Sequence, residues 1–278
     1  MNDETIEGAS TQMRLVIAAG ILLLLIALAA WVVFIFLGPP ASPPPPSIAA
    51  GASPAPQNGS SPAPQNKGSL SPPVPLPPGM TRIFDGETLS GWLSSPASAA
   101  GDLQWSVRDG ILASNGLRRG VLFTQSDYAR YRIIFDVRQI SGNHPPCVLI
   151  FCTRPPPGGT ALDALAGVQF QPTGGHWDYR PGHNNGGRIF FRLVHPFHVD
   201  IRQWSRVEIL ADAARGTARM AVAQPVGSKA VEVLDFRDPA GGKVGPFAFQ
   251  MHNRGLLDEY ANVAVQVNPA ENDLITTK

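Results

Sequence analysis

The sequence predicts an all-β sandwich or jelly roll, on three observations. Short runs of alternating apolar and polar residues recur between about Thr81 and Pro269, no stretch there sustains a helical period, and glycine-containing turn pairs punctuate the runs. A segment of about 190 residues is long enough to build one sizeable core. A closed barrel is the alternative.

Residues 1–14 form a short tail carrying Asp3, Glu4, Glu7 and Arg14. Residues 15–37 are unbroken apolar sequence without a charge. A helix of that length reaches about 35 Å, enough to cross a hydrocarbon core of about 30 Å with some tilt. A cleavable signal peptide is the competing reading. Its apolar region is usually shorter and follows a basic stretch, whereas here the acids outnumber Arg14. The expectation is an uncleaved transmembrane helix and a single-pass membrane protein. Arg14 abuts the span on one side and the next charge beyond it is Lys67. The positive-inside bias then leaves the N-terminus cytoplasmic and the C-terminal domain periplasmic or extracellular.

Residues 38–79 read as a disordered linker rich in Pro, Ala, Ser and Gly, with Ser-Pro-Ala-Pro-Gln-Asn at 53–58 and again at 61–66. Such a segment buries too little apolar surface to offset its ordering entropy. Its prolines favour extended conformations spanning on the order of 100 Å.

The folded domain is expected over 80–269, followed by a C-terminal tail at 270–278. Ile133, Phe135 and Val137 alternate with Arg132, Asp136 and Arg138 along Arg132–Arg138. Ser205–Ala211, Thr217–Ala223 and Val231–Phe236 show the same period of two, which puts one apolar side of each strand on a core. Asp109-Gly110, Asn115-Gly116, Ser141-Gly142, Gly174-Gly175 and Gly186-Gly187 supply turns. The two cysteines, Cys147 and Cys152, lie in one apolar run. On a continuous strand they face opposite ways about 16 Å apart, so they cannot bridge and read as small core residues.

Lysines and arginines number 22 against 21 acids, and charged residues make up 15% of the chain. This balance offers no basic surface for nucleic acid. The polar groups that stand out sit in two places. Along Gly245–His252, Phe247, Phe249 and Met251 share one strand face and Gln250 and His252 the other. An amide beside an imidazole on an open sheet face suits a hydroxyl-rich ligand such as a sugar; a solvated edge strand is the alternative. In the Gly-rich segment 174–187, His176 and Asp178 could supply an acid–base pair or two metal ligands, making a divalent metal the one cofactor considered. Trp177 could stack on a ring. A hydrogen-bonded turn is the plainer reading there. His195-Pro-Phe-His198 lacks a metal-ligand spacing, Trp105 and Trp204 read as core, Asp85 reads as a turn residue, and Asp136 with Arg138 reads as a salt-bridged or cavity-lining face.

Several segments in order resemble the 3-keto-disaccharide hydrolase domain family, which includes 3-keto-glucoside 1,2-lyases and 3-keto-2-hydroxyglucal hydratases. They are Ile83-Phe84-Asp85-Gly86-Glu87-Thr88-Leu89 with Gly91-Trp92; Trp105 to Asp109-Gly110 and Leu112; Tyr128; Gln203-Trp204-Ser205-Arg206 with Glu208; Gly245 through His252; and Tyr260-Ala-Asn262-Val. The resemblance implies a concanavalin A-like jelly-roll sandwich of two antiparallel sheets with a saccharide on its concave face. It also implies elimination chemistry, in which a ketone at C3 acidifies the C2 proton, a base removes that proton and the C1 substituent leaves. Where the family commonly has Glu-x-Gln followed by Asp, this chain has Gly167-Val168-Gln169-Phe170-Gln171. Gln169 matches, but glycine replaces the acid. The strand after Asn143-His144 ends at Arg154, like the family's arginine-terminated strand. The expectation is therefore a membrane-anchored lyase or hydrolase of 3-keto-glycosides. His176, Asp178 and His252 are its catalytic candidates, and Arg154, Gln169, Gln250 and Trp177 its binding residues. A non-catalytic carbohydrate-binding module on a stalk is the alternative, and an envelope protein using the sandwich for protein contact is a third.

Overall fold

Alternating sequence needs two chemically different faces, and the chain supplies them as two stacked antiparallel sheets. The computed structural model describes residues 75–96, 104–155, 164–183 and 190–278. The expected membrane helix at 15–37 and the linker as far as residue 74 lie outside these. Among the described residues no helix is long and apolar enough to cross a membrane.

In chain order the strands are β1 (Thr81–Arg82), β2 (Trp92–Ser95), β3 (Trp105–Arg108), β4 (Ile111–Ser114), β5 (Gly120–Thr124), β6 (Arg130–Ser141), β7 (Cys147–Ile150) and β8 (Val168–Phe170). There follow β9 (His176–Asp178), β10 (Phe191–Leu193), β11 (Ser205–Asp212), β12 (Thr217–Ala223), β13 (Val231–Arg237), β14 (Ala248–Met251) and β15 (Leu257–Val267). One sheet has nine strands in the order β10-β13-β12-β11-β6-β15-β4-β3, with β1 also on β15. The other has six, in the order β2-β5-β14-β7-β8-β9. The alternating runs read from the sequence are β6, β11, β12 and β13. The Asp109-Gly110 pair makes its turn with both residues at positive φ, 54° and 77°.

Between the sheets lies an aromatic core. Phe249 stacks on Tyr260 at 3.9 Å and meets Phe135 edge-on at 5.4 Å. Trp92 stacks on the other side of Phe249 at 5.5 Å. Val148, Ile150, Val168, Phe170, Phe247 and Met251 enter the same core, as alternation along β7, β8 and β14 requires. Each large apolar side chain so buried contributes about 1.5–3 kcal/mol.

The other face of the nine-stranded sheet carries ion pairs. Arg132 bonds Glu208 at 2.8 Å, Arg206 grips both oxygens of Asp136 at 2.7 and 3.0 Å, and Arg138 pairs with Glu259 at 2.7 Å. Residues 270–278 pack against this face. Ile275 and Thr276 donate backbone N–H to Glu208 at 3.0 and 2.8 Å, the Thr276 hydroxyl adds a bond at 2.6 Å, and Leu274 is buried beside Leu210 and Ala221.

One strand reading needs correction. Cys147 and Cys152 do not lie on opposite faces. β7 ends at Ile150, and Phe151 takes a positive φ of 54°, which resets the alternation. Cys152 then joins Leu149, Val121 and Phe123 on the side away from the main core. Both thiols are free and buried.

Candidate functional site

Strand register aligns side chains into rows on the outer face of the six-stranded sheet, the face away from the main core. Phe123 on β5 pairs with Ala248 on β14, Ala248 with Leu149 on β7, Leu149 with Gln169 on β8, and Gln169 with Trp177 on β9. The neighbouring row runs Val121, Gln250, Cys147. One half of this face is thus apolar, and the other half carries amides and aromatics.

The amides are wired together. Gln169 Nε2 reaches diagonally over β7 to donate to Gln250 Oε1 at 2.6 Å, and it contacts the Tyr179 hydroxyl at 3.4 Å. Gln171 Nε2 donates to Gln169 Oε1 at 3.3 Å and lies 3.6 Å from Cys147 Sγ. The Gln171 side chain has room because Gly175 faces it; a Cβ there would stand 2.0 Å from Gln171 Oε1. Gln169 and Gln250 are both buried. Trp177 is 37% exposed, with its ring 6.1 Å from that of Tyr179.

His252 joins the end of this network. Its ring lies parallel to that of His144 with centroids 4.0 Å apart, and His144 Nδ1 is 3.5 Å from Cys147 Sγ. A His252 ring protonated at Nδ1 would donate to Asn253 Oδ1 at 2.9 Å and keep its basic nitrogen at Nε2. Burial, and then the nearby Asp258, push the Cys147 thiol well above its ordinary pKa, towards the neutral form. Asp258 itself points inward at the end of β15, accepting from Gln139 Nε2 at 2.8 Å. Burial raises its pKa to about 7, and its Oδ2 has no hydrogen-bond partner.

The structure unites Gln169, Gln250, Trp177 and His252 and separates the other candidates. His176 and Asp178 leave the shared face because residues 176–178 form strand β9 rather than a loop, which turns both side chains opposite to Trp177. His176 stacks on Phe191 at 4.2 Å. Asp178 is buried in an ion cluster, accepting from Arg180 at 2.8 Å and meeting His183 Nδ1 at 3.1 Å. Arg154 sits at the rim of β5, with its guanidinium 5.7 Å from the Phe123 ring. It pairs with Asp127 and donates to Gln125 O at 2.9 Å. Trp105 and Trp204 are buried as expected. The Asp85 carboxylate accepts from the backbone N–H of Glu87 and Thr88 at 2.8 and 2.7 Å, closing its turn.

Gln171 and Tyr179 were legible but missed, since each lies two residues beyond a chosen position on the same strand face. His144 gave no periodic signal, because it lies ahead of β7. Among the described residues no group of three or more His, Cys, Asp or Glu side chains gathers in a way that would hold a metal ion.

Gly167, where the resemblance implies an acid, is hemmed in: a Cβ there would stand 2.8 Å from both Cys152 Sγ and Ile150 O. The outer face therefore offers amide, aromatic, thiol and imidazole groups from these strands, and β8 brings no carboxylate to it. Such a surface can exchange hydrogen bonds with hydroxyls in both directions and can stack on a ring.

Comparison with known proteins adds a family. The family model described as 3-keto-alpha-glucoside-1,2-lyase-like domain matches residues 79–266. No curated protein matches the chain. Similar solved structures include the carbohydrate binding module CBM66 from Bacillus subtilis, at 10% identity and TM-score 0.44, covering 63% of this chain and 95% of that one. A protein of unknown function with galectin-like fold from Bacillus subtilis has 11% identity and TM-score 0.43, covering 68% and 96%. The exoplasmic/lumenal domain of VIP36 in its Ca2+/Man3GlcNAc-bound form has 11% identity and TM-score 0.43, covering 72% and 96%. At these levels the likenesses say nothing of ligand or activity.

Proposed function

The chain belongs to the 3-keto-alpha-glucoside-1,2-lyase-like domain family, and on that premise we propose that its sandwich recognises a neutral saccharide, a 3-keto-glycoside or related sugar, on the outer face of the six-stranded sheet. The observation that carries this reading is the Gln250–Gln169–Gln171 amide chain, whose middle member Gln169 lies beside Trp177 and Tyr179. Amides donate and accept at once, which matches sugar hydroxyls. Aromatic faces take the apolar side of a sugar ring. Binding without turnover is what this geometry supports best, because Gly167 stands where the family has its acid and the site around it is closed to a longer side chain.

A second reading, a lyase or hydrolase, is favoured by the stacked His144–His252 pair at the end of the same network. In that reading His252 Nε2 takes the C2 proton, an amide N–H polarises the C3 ketone, and the C1–O bond breaks as the C1–C2 double bond forms. The leaving oxygen takes its proton from water. The membrane anchor at 15–37 and export of the domain belong to this proposal; the uncharged apolar span supports them.

The test is calorimetric titration of the full chain in detergent with 3-keto-glucosides and the parent glucosides, followed by product assay with and without divalent metal. Saturable binding without product supports the module, and elimination product lost in His252→Ala supports the enzyme. No binding of any saccharide rejects both.

A further inference from the structure

Strand register lays two charged rows side by side on the outer face of the nine-stranded sheet. One runs Arg130, Asp212, Thr217, Arg237 from β6 to β13. The other runs Leu210, Arg219, Asp235, Arg192 from β11 to β10. Alternation puts these side chains on the side away from the core, and Arg215 joins them from the turn between β11 and β12. Arg130, Arg215, Arg219 and Arg237 line a cavity of about 210 Å³, with Leu210 and Thr217 also in its wall.

The carboxylates there are fewer than the guanidiniums, and two of them are shared. Asp212 accepts from Arg130 at 2.7 Å and from Arg215 at 3.0 Å. Asp235, which is 2% exposed, accepts from Arg192 at 2.8 Å and from Arg237 at 3.0 Å. Glu232 takes Arg219 with both oxygens, at 2.8 and 2.5 Å. Five arginines thus face three carboxylates. At the margin Asp273 is matched by Lys278 at 3.2 Å, and Glu271 meets Arg130 through its backbone carbonyl at 3.3 Å. The cluster holds an excess of two positive charges in a chain whose net charge is +1. Sharing a carboxylate also holds two guanidiniums close together, and an incoming anion relieves their repulsion. Arg215 and Arg237 are 63% and 69% exposed, and each bonds its aspartate side chain through a single guanidinium nitrogen.

We propose that this cavity is a second ligand site, separate from the saccharide face, and that it takes a phosphate monoester. Such a group carries close to two negative charges at neutral pH, which matches the excess. Every cation in the wall is an arginine, whose planar fork meets phosphate oxygens two at a time where a lysine offers a point charge. The four guanidiniums come from three strands and a turn, a spread that suits a tetrahedral anion better than a planar carboxylate. Leu210 and Thr217 offer an apolar contact and a hydroxyl to whatever the phosphate is attached to. The proposal does not depend on the saccharide reading.

The test is calorimetric titration of the full chain in detergent with phenyl phosphate, at an ionic strength held constant with sodium chloride. The wild type is compared with the Arg215→Gln/Arg237→Gln double variant and with Arg108→Gln, which alters an exposed arginine on β3 outside the cavity. Saturable one-to-one binding is expected, unchanged in Arg108→Gln and weakened about tenfold or more in the double variant. Arg237→Lys keeps the charge and loses the fork, so it should weaken binding by about threefold or more, and it decides the matter if the double variant does not fold. Glycerophosphoglycerol, a singly charged diester with the chemistry of a lipid headgroup, should bind about tenfold more weakly than the monoester. The site is overturned if phenyl phosphate does not bind, if Arg108→Gln loses as much as the cavity variants, if the cavity variants lose nothing, or if the diester binds as well.

Discussion

Asp258 shows how one side chain can set the pH response of a sandwich. It is buried between the sheets, and burial outweighs the Gln139 bond and the Arg202 charge, leaving its pKa at about 7. In an unfolded chain the group titrates near 3.8. Below about pH 4 both states hold the proton and its favourable contribution is fully present. As pH rises from 4 through 7 the unfolded chain releases the proton first, and stability falls by on the order of 4 kcal/mol. Asp258→Asn keeps a neutral group of the same shape. The variant should therefore gain melting temperature over the wild type between pH 5 and 8 and match it near pH 4. Equal profiles across that range would show that Asp258 is not held protonated. Gln169 makes the complementary point: its buried 2.6 Å bond to Gln250 leaves an unsatisfied carbonyl costing roughly 1–3 kcal/mol if the donor is removed.

Strand β9 and the C-terminal segment show what a short element decides. Three residues of β9 send Trp177 to the amide face and His176 and Asp178 to the other. Trp177→Ala should weaken saccharide binding at least tenfold, about 1.4 kcal/mol, with little loss of stability. His176→Ala should leave binding unchanged and cost its stacking on Phe191 and its contact with Gly174 O. If His176→Ala abolishes binding while Trp177→Ala does not, the assignment of faces is wrong. On the opposite sheet, residues 270–278 donate three hydrogen bonds to Glu208, the buried partner of Arg132. Removing them strips a buried ion pair of its satisfied geometry, so deletion of 270–278 should destabilise the domain by roughly 3–5 kcal/mol in denaturant unfolding. A midpoint shift within error of zero would mean that water replaces the segment without cost.

The assembled domain has two outer faces of different chemistry. The nine-stranded sheet turns a ladder of ion pairs outward, beneath Pro75, within the stretch read as linker, and beneath residues 269–278. Pro75 O accepts from Arg206 at 3.4 Å and Arg130 donates to Pro269 O at 2.9 Å. The six-stranded sheet carries the buried amide row, Trp177 and a buried apolar cluster on its outer side. If 15–37 anchors the chain as proposed, protease can test on which side of the membrane the folded domain lies. Protease added to intact spheroplasts should release the folded domain while 15–37 stays with the membrane fraction. A mature N-terminus beyond residue 38, or a fully protected domain, would reject the anchor or its orientation.

Alternation, turn pairs and the lack of a helical period pointed to an all-β sandwich or jelly roll with a barrel as alternative, and alternation set Phe247, Phe249, Val168 and Phe170 on one side of their strands with Gln169 and Gln250 on the other. A period of two fixes which residues share a face as soon as the strand is recognised. Where recognition failed, so did the faces. Glycines made 174–187 read as a loop, which hid that His176 and Asp178 oppose Trp177. A positive φ at Phe151 broke the period that would have separated Cys147 from Cys152. Only the tertiary structure decided which strands lie side by side. The diagonal Gln169–Gln250 bond over β7, the His144–His252 stack and the packing of Leu165 in one cluster with Phe123 and Ala248 all join residues far apart in the chain, and local sequence carries no record of strand order. The glycine at 167 was visible from the start. That Cys152 and the Ile150 carbonyl leave no space for an acid there follows from packing, which is a property of the assembled chain.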